Sequence, residues 1–566
     1  MSFRVIRFLT LACLLAFCSC SRKEERSQQQ KAVVVAIEGD VDTFNPLFAE
    51  DVTAGEINDL LFPGLTGSEF DVATGTLHYL PLLARSWEWS VDRRDITFHL
   101  VSGARWSDGT PISSADVKTS YELYGDPEVA SVRQSAVSVM RKSPGGKGVP
   151  DAAEAINDST VVFHFERSYA GQLFDTGLPI LPAHIFGKIS RKELRSFPGN
   201  NTPLSSGPFS FDSWTPMQEI VLRSNNDSRV PAPAKISALV FRVIPDYGAR
   251  LAQLQSGEVD IVTGIRPEDA VRIGRESETV AIVSTAGRDY DFLGWNNIDP
   301  GAFGSSGGKT TTPHRLFGSA KVRKALTIAI DRKALVDAYL GIHGREAIGG
   351  VSPLFRWAYN DTIKPLKFDK NLASQLLSGE GWRDSDGDGI IDKNGVAFRF
   401  VLKIAAGNQM RSVIATAIQQ QLRDVGVDAS IEQVERGTFW QDLMARKYDA
   451  WIAGFSVPLQ MQLDDLWGSD LEKYPFNLAG YRNARIDKIL GSVRALENET
   501  DGAALWKEFQ AIVHQDQPYT FLFWINNIVG VNKRIHGSSI GVLGTTHRAW
   551  EWYTQGSAPI AGSIAR

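Results

Sequence analysis

This chain has little cysteine, and all of it lies near the beginning of its 566 residues. The three cysteines are Cys13, Cys18 and Cys20. If the chain is cut before Cys20, no pair of thiols remains in the mature protein. This excludes a disulfide, a metal site built from thiolates and a cysteine nucleophile.

The sequence also lacks a second long hydrophobic segment and any cluster of basic residues. A helix needs about 20 apolar residues to cross a bilayer, and no stretch after the first twenty residues approaches this length. The net charge is -5, and without a basic cluster nothing could hold a phosphate backbone, so nucleic acid is not an expected partner. The nine histidines are scattered, and the His-Glu-x-x-His motif of metalloproteases does not occur.

Two short motifs resemble catalytic loops but lie in the wrong context. Residues 304–308 match Gly-x-Ser-x-Gly, yet no strand is predicted before them and no helix after them, so the turn that exposes a hydrolase serine is not expected. Residues 308–310 resemble the end of a phosphate-binding loop, but Phe303 stands where the first glycine is required. We predict that 301–309 is a flexible glycine-rich loop and expect neither an enzyme nor a cofactor.

The first twenty residues have the three parts of a secretory signal. Two arginines are followed by an apolar core, 8–17, and by the small Ser19 before a candidate cleavage site. The segment resembles a bacterial lipoprotein signal, in which the cysteine after the cut receives lipid, and Cys20 has that position. It departs from the pattern because Phe17 stands where leucine is usual, so cleavage without lipid is the alternative. The rest of the chain is then expected on the periplasmic or cell-surface side of a bacterial membrane.

Apolar periodicity in the body of the chain predicts an α/β protein. The continuous β-branched run 32–37 predicts a strand buried on both faces. Two later regions predict strand–helix–strand units of the βαβ kind. Their elements are strand 238–244, helix 247–256 and strand 260–262, then strand 398–404, a helix with apolar residues at 410, 414, 418 and 422, strand 427–431, helix 439–444 and strand 450–453. Alternating segments such as 96–100 and 161–165 make 69–199 a mainly β insertion. Two α/β lobes are therefore expected.

Short motifs follow one another along nearly all of this body. They are GDVDTFNPL at 39–47, LPLLARSWE at 80–88, RWSDGTPI at 105–112, VKTSY at 117–121, SGPF at 206–209, VRKAL at 322–326, AIDR at 329–332, FNLAGY at 476–481 and QPY at 517–519. In this order they resemble the extracellular solute-binding proteins of family five, the oligopeptide and dipeptide binding class of ABC importers. Most of these residues have structural roles; Asp331, for example, is predicted to cap a helix.

The resemblance implies a two-lobed periplasmic-binding-protein fold of the class II type, in the cluster of peptide binders, with an extra mainly β subdomain in the first lobe. The expected divisions are a lipoprotein signal peptide 1–19, a lipid anchor and flexible linker 20–31, a first part of lobe I 32–68, its β-rich subdomain 69–199, a second part of lobe I 200–288, lobe II 289–515 and a return segment of lobe I 516–566.

The resemblance also implies a function without catalysis. Such a protein captures a peptide or peptide-like solute by hinge closure and delivers it to the permease subunits of an ABC importer. We expect a monomer that is tethered to the membrane through lipid on Cys20. The alternatives are a nickel chelate, an oligosaccharide or an opine in the same cleft, or a ligand sensor or chaperone that takes no part in transport.

The expected ligand-lining residues lie in the crossing regions between the lobes and are aromatic or amide side chains. They are Tyr290, Trp295, Asn296, Asn297, Trp440, Phe455, Gln460, Gln462 and Trp467. Aromatic rings would supply flat contact area and amides would orient the ligand. Packing in the core is the alternative for Trp440 and Phe455, and a solvated loop is the alternative for Asn296 and Gln460.

One departure from the family concerns the charged amine of the ligand. Many peptide-binding members have aspartates after a Gly-Trp dipeptide, one of which pairs with that amine, whereas 454–463 of this chain contain no acid. Gln460 and Gln462 occupy what look like the acidic places, and the next acids are Asp464 and Asp465. Because a glutamine cannot neutralise a buried ammonium group, the sequence predicts that a free amine does not hold the ligand here.

Residues 384–392 resemble a calcium-binding loop. Its acids at alternate positions are Asp384, Asp386, Asp388 and Asp392, with glycine at the sixth place. The twelfth place is Gly395, where a bidentate glutamate is expected. A solvated turn between a helix and a strand is therefore favoured over a metal site.

Overall fold

The computed structural model describes residues 32–142 and 152–554. The predicted signal, Cys20 and the linker lie outside them. The strands are β1 Ala32–Ile37, β2 Thr66–Asp71, β3 Thr76–Pro81, β4 Ala84–Trp89, β5 Asp95–Leu100, β6 Ala153–Asn157, β7 Thr160–His164, β8 Phe209–Thr215, β9 Glu219–Ser224, β10 Ala238–Val243, β11 Ile261–Thr263, β12 Val280–Trp295, β13 Gly344–Glu346, β14 Asp392–Lys393, β15 Val396–Ala397, β16 Arg399–Ala405, β17 Asp428–Val434, β18 Ala450–Ser456, β19 Tyr519–Asn532, β20 Ile535–His536 and β21 Tyr553–Thr554.

The α-helices are α1 Val52–Leu61, α2 Ser114–Gly125, α3 Gln172–Asp175, α4 Ala183–Phe186, α5 Tyr247–Ser256, α6 Pro267–Glu276, α7 Pro300–Ser305, α8 Ala320–Ile328, α9 Arg332–Tyr339, α10 Lys370–Gly379, α11 Gln409–Arg423, α12 Arg436–Met444, α13 Asp464–Trp467, α14 Ala484–Val493 and α15 Ala503–Asp516. Short 3₁₀-helices cover Gln134–Val137, Leu194–Ser196, Pro198–Asn201, Gly341–His343, Glu499–Gly502 and Ala549–Glu551. None of these helices has the length and apolar character needed to cross a membrane.

One mixed sheet of eleven strands runs through both lobes. Its order is β17-β16-β18-β12-β19-β11-β1-β10-β9-β8, and β13 pairs with β19. At one end β1 is parallel to β10 and β11, and at the other end β16 is parallel to β17 and β18. Parallel neighbours need crossover connections, and here those crossovers contain helices. Each parallel group therefore forms the centre of one α/β lobe.

Two long antiparallel strands, β12 and β19, connect the lobes. Residues 280–285 of β12 pair with β19 beside the first lobe, whereas β12 from Asp289 onward lies between β18 and β19 in the second lobe. The register of β12 and β19 shifts between these two parts. Gly287 lies in this bulge, where a Cβ atom would be 2.1 Å from the carbonyl oxygen of Ile525. Pairing is therefore interrupted at this bulge, and only glycine fits there.

The first lobe carries a mainly β insertion, as the alternating sequence predicts. β4, β5, β7 and β6 form a four-stranded antiparallel sheet, and β2 and β3 form a separate pair. Phe98 of β5 packs edge to face on Phe163 of β7, with ring centres 5.6 Å apart. Tyr121 of α2 packs on the same ring at 4.6 Å. These contacts fasten the small sheet to α2.

Both faces of the large sheet are covered by hydrophobic cores. In β1, Val35 belongs to the cluster on one face and Ala36 to the cluster on the other. In β12, Trp295 belongs to one core of the second lobe and Tyr290 to the other. The prediction that 32–37 is a strand buried on both faces is confirmed.

The last described segment returns to the first lobe. Arg534, after β19, donates from Nε and Nη2 to the two carboxylate oxygens of Asp260, both at 2.6 Å. Asp260 also accepts from the backbone N–H of Val34 at 2.9 Å. Trp552 is buried in the first-lobe core. The carboxylate of Asp260 thus links this segment to β1.

Most predicted elements of the two strand–helix–strand regions are confirmed, with small shifts at their ends. Helix α5 has the predicted bounds, and Gly257 ends it with a φ of 81°. Asp331 caps α9, because its carboxylate accepts from the backbone N–H of Ala334 at 2.9 Å. The prediction of a flexible loop at 301–309 is wrong for the first half of this segment. There Asp299 accepts from the backbone N–H of Ala302 and starts α7.

Candidate ligand-binding site

The carboxyl ends of the parallel strands of both lobes face a common space. A cavity of about 910 Å³ lies there, which we call the large cavity. Its lining residues are Arg266, Pro267, Glu268, Tyr339, the segment 405–411, Val413, Arg436, Trp440 and Gly454. In open α/β sheets ligands bind outside the carboxyl ends of the strands, and the volume is at the upper end of the range of small-molecule sites.

One edge of β18 is unpaired where this strand borders the large cavity. β18 extends from Ala450 to Ser456, but β16 pairs with it only as far as Ile452. On the other side β12 pairs with β18 up to Ser456. Among the described residues, no strand therefore covers the β16 side of 453–456. The N–H and C=O groups of such an edge are able to pair with an added extended chain.

Gly454 in this edge has no space for a side chain. A Cβ atom there would be 2.3 Å from Asp291 Oδ1 and 2.7 Å from Arg411 Nη2. Arg411 donates to Asp291 from Nε at 2.9 Å and from Nη2 at 2.7 Å. Burial lowers the pKa of Arg411, but the hydrogen bonds and the charge of Asp291 outweigh burial and leave this pKa raised. The ion pair fastens α11 to β12.

Two smaller cavities lie around Gln460, where the insertion meets the second lobe, and together we call them the Gln460 pocket. One has about 290 Å³ and is lined by 76–79 of β3, Ala170, Leu459, Gln460 and 497–500. The other has about 40 Å³ and is lined by 169–171, 460–462, Asp464, Val493, Arg494, Leu496, Glu499 and Trp506. Ala170, Gln460 and Glu499 border both cavities.

Hydrogen bonds between the lobes close the Gln460 pocket. The backbone N–H of Ala170 donates to the carbonyl oxygen of Leu496 at 2.8 Å. The hydroxyl of Ser168 donates to Glu497 Oε1 at 2.5 Å. Since Ala170 and Ser168 belong to the first lobe and their partners to the second, the structure shows the two lobes in contact over this pocket.

Three carboxyl groups lie in or beside the Gln460 pocket and differ in their partners. Asp464 forms an ion pair with Arg494. Asp175 accepts from the hydroxyl of Tyr169; burial raises the pKa of Asp175 to about 7, although this hydrogen bond acts in the opposite direction. Burial also raises the pKa of Glu499 to about 7. Of the three, Glu499 is the one whose carboxylate has neither an ion pair nor a hydrogen bond within the described part of the chain.

The large cavity is more basic than the Gln460 pocket. Arg266 and Arg436 border it, and neither side chain forms an ion pair within 32–142 and 152–554. Arg266 lies over the ring of Tyr247, 4.3 Å from its centre. Helices α6 and α11 also begin at this cavity, and helix N-termini carry partial positive charge. The two parts of the cleft are thus suited to groups of opposite charge.

Three of the predicted ligand-lining residues border the cleft, and a fourth, Phe455, lies in the strand beside it. Trp440 lines the large cavity, and Gln460 and Gln462 line the Gln460 pocket. Phe455 is half-buried in the unpaired part of β18, with its ring centre 5.0 Å from that of Phe292. Phe455 thus packs against the core of the second lobe, which was the alternative for this residue. Ligand contact stays a prediction for Trp440, Gln460 and Gln462.

For the asparagines and one tryptophan, the structure corrects the predicted role to a structural one. Trp295 is buried and donates from Nε1 to the hydroxyl oxygen of Thr520 at 3.0 Å. Asn296 is buried and donates to the carbonyl oxygens of two residues that precede β18. Asn297 donates to the carbonyl oxygens of Trp295 and Pro518. Their polar groups are occupied by the protein, because the chain turns here at the end of β12.

Tyr290 and Trp467 are corrected for another reason. Both are fully buried in the aromatic core of the second lobe. The ring centre of Tyr290 is 4.7 Å from that of Trp524, and Trp467 packs edge to face on Phe509 at 5.3 Å. They stabilise the base of the cleft and do not line it.

The acidic loop is an internally hydrogen-bonded turn. Asp384 accepts from the backbone N–H groups of Gly387 and Gly389, at 2.7 and 3.0 Å. Asp388 forms an ion pair with Arg399 at 2.6 Å. Carboxylate oxygens of three exposed residues lie within 4.8 Å of one another, those of Asp384, Asp386 and Asp388. The fourth predicted ligand, Asp392, instead accepts from Ser385 at 2.7 Å.

Glu499 borders the pocket but is not among the ligand-lining residues predicted from the sequence. It lies in a polar stretch between α14 and α15, where Asn498 accepts from the backbone N–H of Thr500 at 3.3 Å. Locally this pattern predicts only a turn. Glu499 reaches the pocket because the α14–α15 pair is packed beside the loop that follows β18. No signal within the stretch itself indicates this contact.

Comparison with known proteins agrees with this geometry. The model of bacterial extracellular solute-binding proteins, family 5 middle region, matches residues 78–467. The oligopeptide-binding protein AppA of Bacillus subtilis (strain 168) is 28% identical over 549 residues, which cover 94% of this chain and 94% of that protein. Protein XP55 of Streptomyces lividans is 27% identical over 528 residues, with 92% and 89% covered.

Solved structures show the same fold. AppA from Bacillus subtilis in complex with a nonapeptide superposes with a TM-score of 0.73 at 26% identity, covering 92% of this chain and 98% of that chain. NikZ from Campylobacter jejuni in complex with Ni(L-His) superposes with a TM-score of 0.74 at 22% identity, covering 93% and 100%. Because NikZ is only 22% identical to this chain, its similarity shows the fold alone.

Proposed function

We propose, because the chain belongs to the bacterial extracellular solute-binding proteins of family 5, that it captures a peptide between its lobes and delivers it to the permease of an ABC importer. Proteins of this family bind solutes and are not enzymes, so the peptide leaves unchanged. The family name implies an extracytoplasmic location. We propose that the protein acts there as a monomer.

The observation that carries this proposal is the unpaired edge of β18 beside the large cavity. An extended peptide would add to residues 453–456 as a further strand. Each neutral backbone hydrogen bond contributes about 0.5–1.5 kcal/mol net, and these bonds do not depend on the side chains of the peptide. A protein that binds in this way accepts many peptide sequences.

The same edge favours a peptide over the other ligands considered. Nickel chelates, oligosaccharides and opines have no repeating pair of N–H and C=O groups that matches a strand edge. AppA, which was solved with a nonapeptide and shares the fold over nearly all of this chain, supports the same choice. A peptide that follows the chain from Gly454 to Gln460 would extend from the large cavity to the Gln460 pocket.

Closure of the lobes is the mechanism of capture. Contacts such as Ala170 with Leu496 form only when the lobes meet, and a ligand that touches both lobes shifts the population towards this state. We propose that the lobes divide between 288 and 289, because the bulge with Gly287 interrupts β12 there.

The test is to identify what the full chain carries when it is purified from its own export compartment. We expect mass spectrometry of the released material to find short peptides of varied sequence. We also expect small-angle scattering to show a more compact protein when such peptides are added back. Release of a single sugar or metal chelate, or chemical conversion of an added peptide by the protein, would contradict the proposal.

Lipid on Cys20 is the proposed means of attachment. Cys20→Ser is expected to move the protein from the membrane fraction to the soluble fraction after export. Cys18→Ser is the matched control, because it removes a thiol from the same segment without changing the residue that receives lipid. A Cys20→Ser protein that stays with the membrane would refute this attachment.

A further inference from the structure

Glu499 is the carboxylate of the Gln460 pocket that has no partner in the part of the chain that the structure describes. It begins the 3₁₀-helix Glu499–Gly502 that leads into α15, and it borders both cavities of the pocket. Its side chain is half-buried. Within the described residues, burial acts on this carboxyl group with no opposing ion pair or hydrogen bond.

The acids around Glu499 do have partners. Asp464 is paired with Arg494. Glu497 accepts from Ser168 at 2.5 Å and lies 3.7 Å from Arg93. The ionised Glu499 is therefore a partly buried negative charge without a counter-charge among the described residues. Burying such a charge costs free energy unless an opposite charge or hydrogen-bond donors accompany it.

We propose that Glu499 receives the positively charged amine of the ligand and performs the role for which 454–463 lack an acid. This inference rests on the proposed function, because it assumes a peptide-like solute in the cleft. It replaces the expectation from sequence that a free amine does not hold the ligand. That expectation considered only the acids that follow Gly454 in the chain, whereas Glu499 enters the pocket from a different segment.

Gln460 completes the site for an ammonium group. It borders both cavities together with Glu499, and Gln462 donates from Nε2 to Gln460 Oε1 at 3.3 Å. Gly171 allows Gln460 to lie there, because a Cβ atom at Gly171 would be 2.8 Å from Gln460 Oε1. A primary ammonium group has three N–H donors. The carboxylate of Glu499 and the amide oxygen of Gln460 would accept two of them.

The charge of Glu499 also makes closure depend on the ligand. Closing the empty pocket buries the carboxylate, which disfavours the closed state. A bound ammonium group removes this cost and so adds to the population shift that the ligand produces. A ligand without a positive charge, such as a peptide with an acetylated N terminus, would not add this contribution to lobe closure.

The decisive experiment is calorimetric titration of the full chain at pH 7, after removal of co-purified ligand. The probes are alanine peptides of three to six residues with a free or an acetylated N terminus. We expect the wild type to bind the free form about tenfold tighter or more, as for a hydrogen bond to a charged group. Glu499→Gln is expected to lose this preference. Asp465→Asn is the matched control, since it removes the same charge from an exposed residue outside the pocket.

The outcomes separate the two proposals. If the wild type and Glu499→Gln bind peptides with the same preference for a free amine, the role of Glu499 is refuted and peptide binding stands. If no peptide binds to either protein, the proposed function fails. A second measurement needs no ligand: scattering at pH 8 should show Glu499→Gln more compact than the wild type, whereas identical profiles would refute the effect on closure.

Discussion

Two groups of carboxylates in the second lobe differ in how clearly the sequence shows them and in how well the protein satisfies them. The acidic loop has a regular pattern that resembles a calcium site, yet Asp384 accepts from two backbone N–H groups and Asp388 is paired with Arg399. Glu499 stands in an ordinary polar stretch and has no partner among the described residues. The acids that form a visible motif thus find their partners within or beside their own loop, whereas Glu499, which belongs to no motif, does not.

This difference has a physical cause. Acids spaced two residues apart in a glycine-containing loop accept hydrogen bonds from the backbone of their own turn. The spacing that makes the motif visible therefore also satisfies its carboxylates. A carboxylate that a ligand must neutralise needs no neighbour in sequence. It needs a cavity, and the cavity around Glu499 is assembled from β3, 169–171, 459–462 and the α14–α15 connection.

The largest effect is expected from Glu499→Lys. This change places a cation where the ligand ammonium binds, and like charges side by side cost several kcal/mol. We expect the affinity for free-amine peptides to fall by about a hundredfold or more in calorimetry. Asp386→Lys is the control in the acidic loop, because it makes the same change of charge far from the pocket and should leave the affinity unchanged. An equal loss of peptide affinity in both variants would show that Glu499 and the acidic loop do not differ in this respect.

A smaller effect is expected from pH. Because burial raises the pKa of Glu499 to about 7, this group is progressively protonated below pH 7 and then no longer attracts an ammonium group. The affinity of the wild type for free-amine peptides should fall about tenfold between pH 7 and pH 5.5. Above pH 8 it should fall again, because the amine of the peptide itself loses its proton.

Other charged groups face the same pocket and require a control. They are His78, Asp175, Asp464 with Arg494, and Glu497. Burial raises the pKa of Asp175 to about 7 as well, so its protonation falls in the same range. Glu499→Gln retains all of these groups. We expect its affinity to stay level from pH 7 to pH 5.5, and a fall equal to that of the wild type would assign the effect to the others.

A still smaller effect is expected from Asp464→Asn, which removes the partner of a basic residue in the pocket. Arg494 would lose its ion pair and would be free to approach Glu499 and compete with the ligand. We expect the affinity for free-amine peptides to fall about threefold to fivefold in calorimetry at pH 7. Unchanged affinity would show that Arg494 does not reach Glu499. Asp465→Asn again provides the control.

The fold was largely predictable because its signals are local. The apolar run of β1, the helix-ending Gly257 and the capping Asp331 each act within a few residues of themselves, and periodicity shows which face is buried. The short helix α7 was missed because its glycines indicated a loop, whereas Asp299 caps a first turn that begins with proline.

The candidate site was less predictable because contact with a cavity is not a local property. Trp295 and Asn296 have the residue types of a binding site, but β12 carries them into the core, where Thr520 and backbone carbonyls satisfy them. Trp440 and Gln460 have the same residue types and do border the cleft. Composition cannot separate these pairs, since the packing of remote segments decides which side chains stay exposed to a ligand.

The smallest effect is expected from Asp384→Ala in the acidic loop. The variant loses an acceptor for the N–H groups of Gly387 and Gly389, but these groups lie at the surface, where water takes the place of the carboxylate. We expect unchanged peptide affinity and a melting temperature lowered by no more than about 2 °C. We also expect 1 mM calcium to leave the melting temperature of the wild type unchanged. If calcium clearly raised the melting temperature of the wild type, and Asp384→Ala abolished this rise, the acidic loop would bind a cation. Hydrogen bonding within the turn would then no longer distinguish the acidic loop from Glu499.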